Sequence, residues 1–346
     1  MNNIIKVAII GGTGYTGLEL LRILSQHPNV KIELITSEPD HVGKTLSDIH
    51  PYLHGIANFK LFSINEIKSR DIDVAFLALP HGISMKFVKE FGFNKFNIID
   101  LSGDFRITEK EYNKWYQNNH ICPDYIDEAV YGMPELFFND IKEAKLISNP
   151  GCYPTSAILP LAPLFKAKLL DPSTIIIDSK SGVTGAGVKA KQSTHFPGVN
   201  ENFLAYSIFS HRHTPEINQV LSYKSKSTVN VLFTPHLLPL NRGILSTIYA
   251  KPIHRINKNK VYEILKSYYS IHPFVNIVDK LPGVKDVCGS NYCNIYADVD
   301  EDKKIIVLVS VIDNLIKGAS GQAVQNMNIM FGYDQVTGLK ALPLVP

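Results

Sequence analysis

Three short stretches carry residue types that could do chemistry together. The first is "ISNPGCYPT", Ile147–Thr155, in which Cys152 follows Asn149-Pro150-Gly151 and precedes Tyr153-Pro154. Proline and glycine end the apolar strand before it. The apolar spacing of "YPTSAILPLAPL" suits a helix, with Pro154 tolerated in a first turn. Cys152 is therefore expected at a helix N-terminus, where the dipole and free N–H groups lower a thiol's pKa and can hold an oxyanion. The second stretch is "SHRHTPEI", Ser210–Ile217, with His211 and His213 flanking Arg212. Residues at i and i+2 of an extended segment share a face, so both imidazoles can line one pocket. Thr214-Pro215-Glu216 reads as a cap followed by a helix start. His211 is assigned to proton transfer and His213 to orienting substrate or holding oxyanion charge, an order that the sequence leaves open.

The third stretch is "GGTGYTG", Gly11–Gly17, which follows an apolar run and opens a helical pattern. Within it Gly12-Thr13-Gly14-Tyr15-Thr16-Gly17 is G-x-G-x-x-G, whose glycines let the backbone turn and approach a pyrophosphate resting on helix amides. That assigns a dinucleotide to Gly11, Thr13, Gly14, Tyr15, Thr16 and Gly17. The tip of the second strand reads Thr36-Ser37-Glu38. Ser37 suits a 2′-phosphate and Glu38 opposes one if turned inward, so the reading inclines to NADP on a mixed signal. A nicotinamide cofactor, a nucleophilic cysteine and a histidine imply acyl-transfer redox chemistry, in which Cys152 carries a thiohemiacetal or thioester. Phosphate is a common partner of such chemistry, and Arg106 of "LSGDFR" is the candidate anion site; the bland alternative pairs it with Asp104 at the surface.

Positioning these residues takes a scaffold of two parts. The chain has 346 residues, 45% hydrophobic and 19% charged, a length that favours two domains. Lys plus Arg exceed Asp plus Glu by only 3, which gives no strong field for nucleic acid or anionic membrane. No apolar run is long enough to span a bilayer, and the short run Ile4–Ile10 leads into glycines, so no leader is expected. Cys122, Cys152, Cys288 and Cys293 form no disulfide framework, which fits a reducing cytoplasm. Cys288 and Cys293 lack a histidine at a suitable spacing, so no metal is expected.

Up to about residue 150, apolar strands alternate with helical patterns, the signature of a parallel sheet with crossovers. The strands end at Ser37-Glu38-Pro39, Pro80-His81-Gly82 and Ser102-Gly103-Asp104, tips that could share one site. Residues Ile107 to Leu146 read as an irregular insertion or lid. Beyond Cys152 the runs "TIIIDSKSG", "TVNVLFTPHL", "GILSTIYAK" and "KIIVLVSVID" are longer and β-rich, with a helix over Lys258–Tyr269, which predicts a mixed sheet and an α+β domain. From Ser320 the pattern is helical again. The fold class is thus α/β plus α+β.

The stretches "GGTGYTGLELLRIL", "FLALPHG", "DLSGDFR", "YGMPEL", "SNPGCYPT", "SGVTGAG", "SHRHTPEI", "FTPHLLPLNRGI" and "DNLIKGASGQAVQNMN" together resemble the N-acetyl-γ-glutamyl-phosphate reductases of arginine biosynthesis, relatives of aspartate-semialdehyde dehydrogenase. The likeness runs over nearly the whole chain. It implies a Rossmann-type NADP domain over 1–149 with 320–346, and a glyceraldehyde-3-phosphate-dehydrogenase-like catalytic and dimerisation domain over 150–319. It implies NADPH-dependent reduction of an acyl phosphate with Cys152 carrying the acyl group. Asn149, Ser181, Gly182 and Lys189 are implied in the substrate pocket. Pro80, Ser181, Gly182, Asn314, Lys317, Gly318 and Gln322 are implied around the cofactor, and a homodimer or homotetramer is implied through second-domain sheets. This chain departs in two places: Val188 follows "SGVTGAG" where a basic residue is usual, leaving Lys189 to replace it, and Glu38 stands where Arg is common. Two rivals remain, a reductase of a related acyl phosphate and a non-catalytic NADP-sensing regulator.

Overall fold

The computed structural model of the chain describes residues 4–189 and 192–344, which fall into two units. The first takes in the residues up to Tyr112, Asn118–Pro150 and Ala319–Leu339; the second takes in Asn113–Gln117, Gly151–Gly318 and the residues from Lys340 on. The chain therefore passes from one to the other at the bond before Gly151. The C-terminal stretch, expected whole in the cofactor domain, is shared. Leu344 donates its N–H to the Cys288 carbonyl at 2.7 Å, which ties the tail to the second unit.

In the first unit, strands β1 (Ile5–Ile10), β2 (Val30–Thr36), β3 (Val74–Leu77), β4 (Asn97–Asp100), β5 (Val130–Tyr131) and β6 (Leu146–Ser148) form one sheet in the order β2-β1-β3-β4-β6-β5. Every pairing is parallel. Parallel neighbours need crossovers, supplied by α1 (Tyr15–Leu24), α2 (Leu46–Ile49), α3 (Ser84–Phe91), α4 (Glu109–Tyr116, counted with the second unit from Asn113 on), α5 (Asp124–Glu128) and α6 (Pro134–Glu143). Cover on both faces explains why β3 is buried at every position. The chain goes from β1 to β2 on one side and to β3 on the other, a reversal that opens a crevice beyond the strand ends.

The stretch Ile107–Leu146 is not a lid. It carries α4, α5, α6 and β5, the last of these paired into the parallel sheet. Its composition hid this: "EKEYNKWY" is polar on average and buries only an aromatic stripe that includes Tyr112 and Tyr116, Pro134 starts α6 instead of breaking it, and a two-residue strand has no legible period.

The second unit opens with α7 (Cys152–Lys166) and continues through β7 (Ile176–Gly182), α8 (Phe196–Val199), β8 (Leu204–Ala205), α9 (His213–Ser225), β9 (Leu232–Leu238), β10 (Ile244–Ala250), α10 (Lys258–Tyr269), β11 (Val275–Ile277), β12 (Cys293–Asp300) and β13 (Ile305–Ile312). Its mixed sheet runs β11-β12-β13-β10-β7-β9-β8. The last helix, α11 (Gly321–Met330), belongs to the first unit. Helix α7 is buried from Tyr153 to Phe165 and packs against α9, α10, β10 and β13. Pro160 and Pro163 interrupt its hydrogen bonding at about 3 kcal/mol each; burying Ile158, Leu159, Leu161 and Leu164 at about 1.5–3 kcal/mol each offsets that. Ile177, Ser179 and Ser181 of β7 point to this buried side, while Ile176, Asp178 and Lys180 face the other, less covered side. Strand β12 was absent from the sequence reading, although Cys293, Ile295 and Ala297 alternate with more exposed residues along it. Among the described residues no helix is long and apolar enough to cross a membrane.

Candidate active site

Between Ile10 and Tyr15 the first unit turns from strand to helix on glycine. Gly11 has φ +91°, in the left-handed region, and a Cβ there would lie 2.5 Å from the Ala78 carbonyl oxygen. At Gly17 a Cβ would lie 2.4 Å from the Gly11 oxygen, so the helix can sit this close to the strand only without a side chain. Gly14 differs: nothing lies within 4 Å of where its Cβ would be. No packing requires glycine there, and α1 begins at Gly14 without a side-chain cap. A bare, uncapped helix start with an open cradle fits a pyrophosphate, whose oxygens would take the amides. Neighbours hold the turn in place. His50 Nε2 bonds the Thr13 carbonyl at 3.0 Å, and Ser320 Oγ donates to the Thr16 carbonyl at 3.0 Å. Tyr15 is partly exposed at the helix start. At the β2 tip the Ser37 hydroxyl donates to the Glu38 carbonyl, Glu38 is exposed, and Pro80 is exposed beyond β3.

The loop after β4 is locked from within. Asp104 accepts from the Gly82 and Met85 N–H groups at 2.9 and 3.0 Å and from the Tyr112 hydroxyl at 2.9 Å. Asp100 accepts from the Ser102 amide and hydroxyl; burial, with Asp104 beside it, pushes its carboxyl up to about 7. Arg106 is buried, not at the surface against Asp104. It donates through Nε to the Asn149 carbonyl at 2.7 Å and through Nη2 to the Leu101 carbonyl at 2.8 Å. Asn149 in turn accepts from Asn326 Nδ2 of α11 at 3.1 Å and donates to the Ala319 carbonyl at 3.1 Å. Gln322 Nε2 donates to the Gly132 carbonyl at 3.0 Å. The last helix therefore reaches the strand that precedes the cysteine.

In the second unit Cys152 is the first residue of α7, after an N-cap Gly151 that has no side-chain cap of its own. The cap comes from another helix. Glu216, buried in the first turn of α9, accepts the Gly151 N–H at 2.9 Å and so ties the cysteine turn to the histidine helix. Tyr153 stands between them, its ring 5.4 Å from that of His211 and 6.0 Å from that of His213. The two imidazoles are 4.8 Å apart. They meet for a different reason from the one expected, because Arg212 is helical and His213 opens α9; a turn, not an extended segment, brings them together.

That turn also sets a tautomer. The His213 N–H points at His211 Nδ1 at 3.1 Å, which makes Nδ1 the acceptor and leaves the proton of the neutral ring on Nε2. Burial, with Arg212 beside it, pulls the His211 imidazole down to about 4. His211 is therefore a neutral ring offering an Nε2–H. Phe233 and Tyr206 close the box around it, with ring centroids at 5.3 and 5.6 Å. The Tyr206 hydroxyl donates to that of Tyr153 at 3.1 Å, which donates to the His236 carbonyl at 3.2 Å. Burial raises both phenols, Tyr206 to about 12.

Glu216, Tyr153 and Tyr206 were missed by sequence reasoning. Glu216 and Tyr153 stand inside quoted motifs, at i+3 from His213 and next to Cys152, and spacing alone could have raised them. Tyr206 had no such signal. Of the other expected residues, Ser181 is buried with its hydroxyl donating to the Gly182 carbonyl, and a Cβ on Gly182 would strike the Arg242 amide at 2.8 Å. Asn314 accepts from the Gly243 N–H at 2.8 Å and donates to Thr184 Oγ1 at 3.0 Å. Lys317 is buried, its Nζ 5.7 Å from the Phe274 ring, and Gly318 lies against Cys152. Lys189 is exposed on the stretch after Gly187. Among the described residues no group of three or more His, Cys, Asp and Glu is gathered as for a metal, and none of the four cysteines forms a disulfide.

Comparison with known proteins matches residues 6–144 to the semialdehyde dehydrogenase NAD-binding domain and residues 152–314 to the semialdehyde dehydrogenase dimerisation domain. Proteins called N-acetyl-gamma-glutamyl-phosphate reductase are similar end to end. That of Pelotomaculum thermopropionicum is 47% identical over 99% of this chain and 99% of its own. That of Methanosphaera stadtmanae is also 47% identical over 99% of each. That of Methanococcus maripaludis is 48% identical over 96% of this chain and 97% of its own. Among solved structures, aspartate semialdehyde dehydrogenase II from Vibrio cholerae superposes with a TM-score of 0.74 at 17% identity, covering 95% of this chain and 98% of that one. Aspartate semialdehyde dehydrogenase from Candida albicans, solved with NADP, gives 0.65 at 15% identity with the same coverage. Those likenesses show the fold; the sequence relatives show more. The chain belongs to the N-acetyl-γ-glutamyl-phosphate reductase family of semialdehyde dehydrogenases, which are oxidoreductases of amino-acid biosynthesis.

Proposed function

We propose that this chain reduces N-acetyl-L-glutamyl 5-phosphate to N-acetyl-L-glutamate 5-semialdehyde through a thioester on Cys152, with NADPH as reductant. The placement of Cys152 at the head of α7, next to Tyr153, whose ring packs against His211 and His213, supports this most strongly. The thiolate adds to the acyl carbon, the bond from that carbon to phosphate oxygen breaks, and a thioester remains. When bound, the nicotinamide cofactor supplies a hydride to the thioester carbon. The resulting oxyanion collapses, the carbon–sulfur bond breaks, and the thiolate returns. One proton balances the sum and ends on the released phosphate. Through these charge changes the His211 Nε2–H is the donor to oxygen, and His213 serves the substrate.

Gly11 to Gly17 would hold the pyrophosphate. Ser37 supports NADP over NAD, and Glu38, exposed at the same strand tip, is the residue that would oppose it. Gln322 and Asn314 are assigned to the cofactor side, and Arg106, Asn149, Ser181, Gly182 and Lys189 to the acyl phosphate. The match to a dimerisation domain and the less covered side of the second sheet support a homo-oligomer, as dimer or tetramer. A reducing cytoplasm suits thiols that form no disulfide.

The test runs the reaction backwards with purified protein. NADP should be reduced with N-acetylglutamate semialdehyde only when phosphate or arsenate is present. Comparable turnover of aspartate semialdehyde would move the assignment to the related acyl phosphate. NADP binding without turnover of any semialdehyde would leave only a regulator.

A further inference from the structure

Gly318 has no conformational reason to be glycine, since its φ lies outside the left-handed region. Its reason is contact. A Cβ built on it would sit 2.7 Å from the Cβ of Cys152, 3.1 Å from its Cα and 3.3 Å from Cδ1 of Ile312. The first two atoms are fixed to the first turn of α7 and cannot swing aside as the end of a long side chain could. The approach is made by one π-turn, Ile316–Ser320, closed by the Gly318 N–H donating to the Asp313 carbonyl at 2.9 Å. Such turns are rare and concentrate at functional sites.

Asp313 organises the turn. One carboxylate oxygen accepts from the N–H groups of Leu315 and Ile316 at 2.8 and 3.1 Å. The other accepts from the Gly289 N–H at 2.8 Å and from Arg242 at 3.3 Å. Lys317, buried over Phe274, anchors the same turn into the interior.

We propose that Gly318 is a positioning residue for Cys152, pressed against the nucleophile by the turn that Asp313 organises. This rests on the reading of Cys152 as nucleophile. A methyl group at 318 must push the first turn of α7, and a displacement of about 1 Å at a reacting group costs on the order of 10²-fold in rate.

The experiment uses the full chain carrying Gly318→Ala, with Cys152→Ser beside it. Four quantities are read: kcat and KM for semialdehyde, the Kd for NADP by calorimetry, the iodoacetamide alkylation rate of the Cys152 peptide across pH, and the thermal midpoint. Expected are a kcat lower by about 10²-fold, an alkylation profile shifted from wild type, and a cofactor Kd changed by less than about twofold. A cofactor Kd weakened tenfold with wild-type alkylation would overturn the proposal and return Gly318 to the cofactor.

Should Gly318→Ala fold poorly, Ile312→Val/Gly318→Ala relieves the apolar part of the clash and leaves the cysteine part. Recovered stability with kcat and alkylation still impaired supports the proposal. Full recovery of all three makes Gly318 ordinary core packing and overturns it. Wild-type turnover by Cys152→Ser would instead defeat the nucleophile reading itself, whatever residue 318 does.

Discussion

Two strand-to-helix turns in this chain look alike in sequence and are built for opposite ends. Each ends a parallel strand, passes through glycine and starts a helix without a side-chain cap of its own, at Gly14 and at Gly151. Around the first, glycines are squeezed on the inner side at Gly11 and Gly17 while Gly14 looks into open space. Around the second, the turn is held from several sides, and Cys152 alone of the first turn stays partly exposed. Glu216 takes the Gly151 amide, Gly318 presses on Cys152, and Tyr153 packs against both histidines. The glycine turn is shaped to leave room and free amides for something brought from outside. The cysteine turn is shaped to hold one of its own atoms still.

The largest effect expected at the cysteine turn comes from His211→Asn. Losing a positioned donor should lower kcat on the order of 10²–10⁴-fold, while binding of NADP to the glycine turn stays as in wild type. A calorimetric titration beside a steady-state assay separates the two. Loss of both together would mean that the division between the turns is wrong.

The same histidine marks stability. Its folded value of about 4 lies below the ordinary 6.5, so between those limits the unfolded chain binds the extra proton. Stability from this source is complete above about pH 6.5 and falls as pH drops toward 4, by up to about 3 kcal/mol. Urea midpoints of wild type and His211→Asn, compared at pH 7.5 and 4.5, isolate the contribution. The difference between the two proteins should shrink or reverse at the lower pH. An unchanged difference would place His211 in water, outside its aromatic box.

Glu216 sharpens the contrast in capping. Glu216→Leu strands a buried Gly151 N–H and should cost about 1–3 kcal/mol in stability, whereas Glu216→Gln keeps an acceptor and should cost less than about 1 kcal/mol. Equal losses in the two variants would show that shape, not the hydrogen bond, matters at that point. The smallest effect on the fold belongs to Gly14→Leu. Because nothing crowds the site, the thermal midpoint should hold, and the cofactor Kd should weaken by about tenfold or more, about 1.4 kcal/mol. A midpoint that falls with affinity unchanged would make Gly14 a packing glycine like Gly17.

How legible these turns were follows from what periodicity can report. Cys152 at a helix start could be read because Pro150-Gly151 and the apolar spacing after it are local signals, and α7 begins at that residue. The glycine loop was equally local. The histidine pair was read on the wrong geometry, since i and i+2 meet at a helix start as readily as along a strand, and no single-sequence pattern separates the two. Contacts that arise from distant segments were out of reach. Glu216 on Gly151, Tyr206 beside His211 and Gly318 on Cys152 each depend on how separate elements pack. Arg106 was found by its place beyond a strand tip, but its burial between the Leu101 and Asn149 carbonyls was not visible from charge pattern alone. The middle segment from Ile107 was misread because α4 is polar on average, with aromatic residues as its only buried stripe, and a two-residue strand leaves no period to read.

Whether the cysteine turn forms a covalent bond with substrate is the point on which the comparison depends. Turnover of the acyl phosphate, quenched in acid and followed by mass measurement of the peptide holding Cys152, should show that peptide heavier by the N-acetylglutamyl acyl group. The adduct should accumulate when reductant is withheld and vanish when it is restored. An unmodified Cys152 peptide from protein that is turning over would contradict the account at its centre.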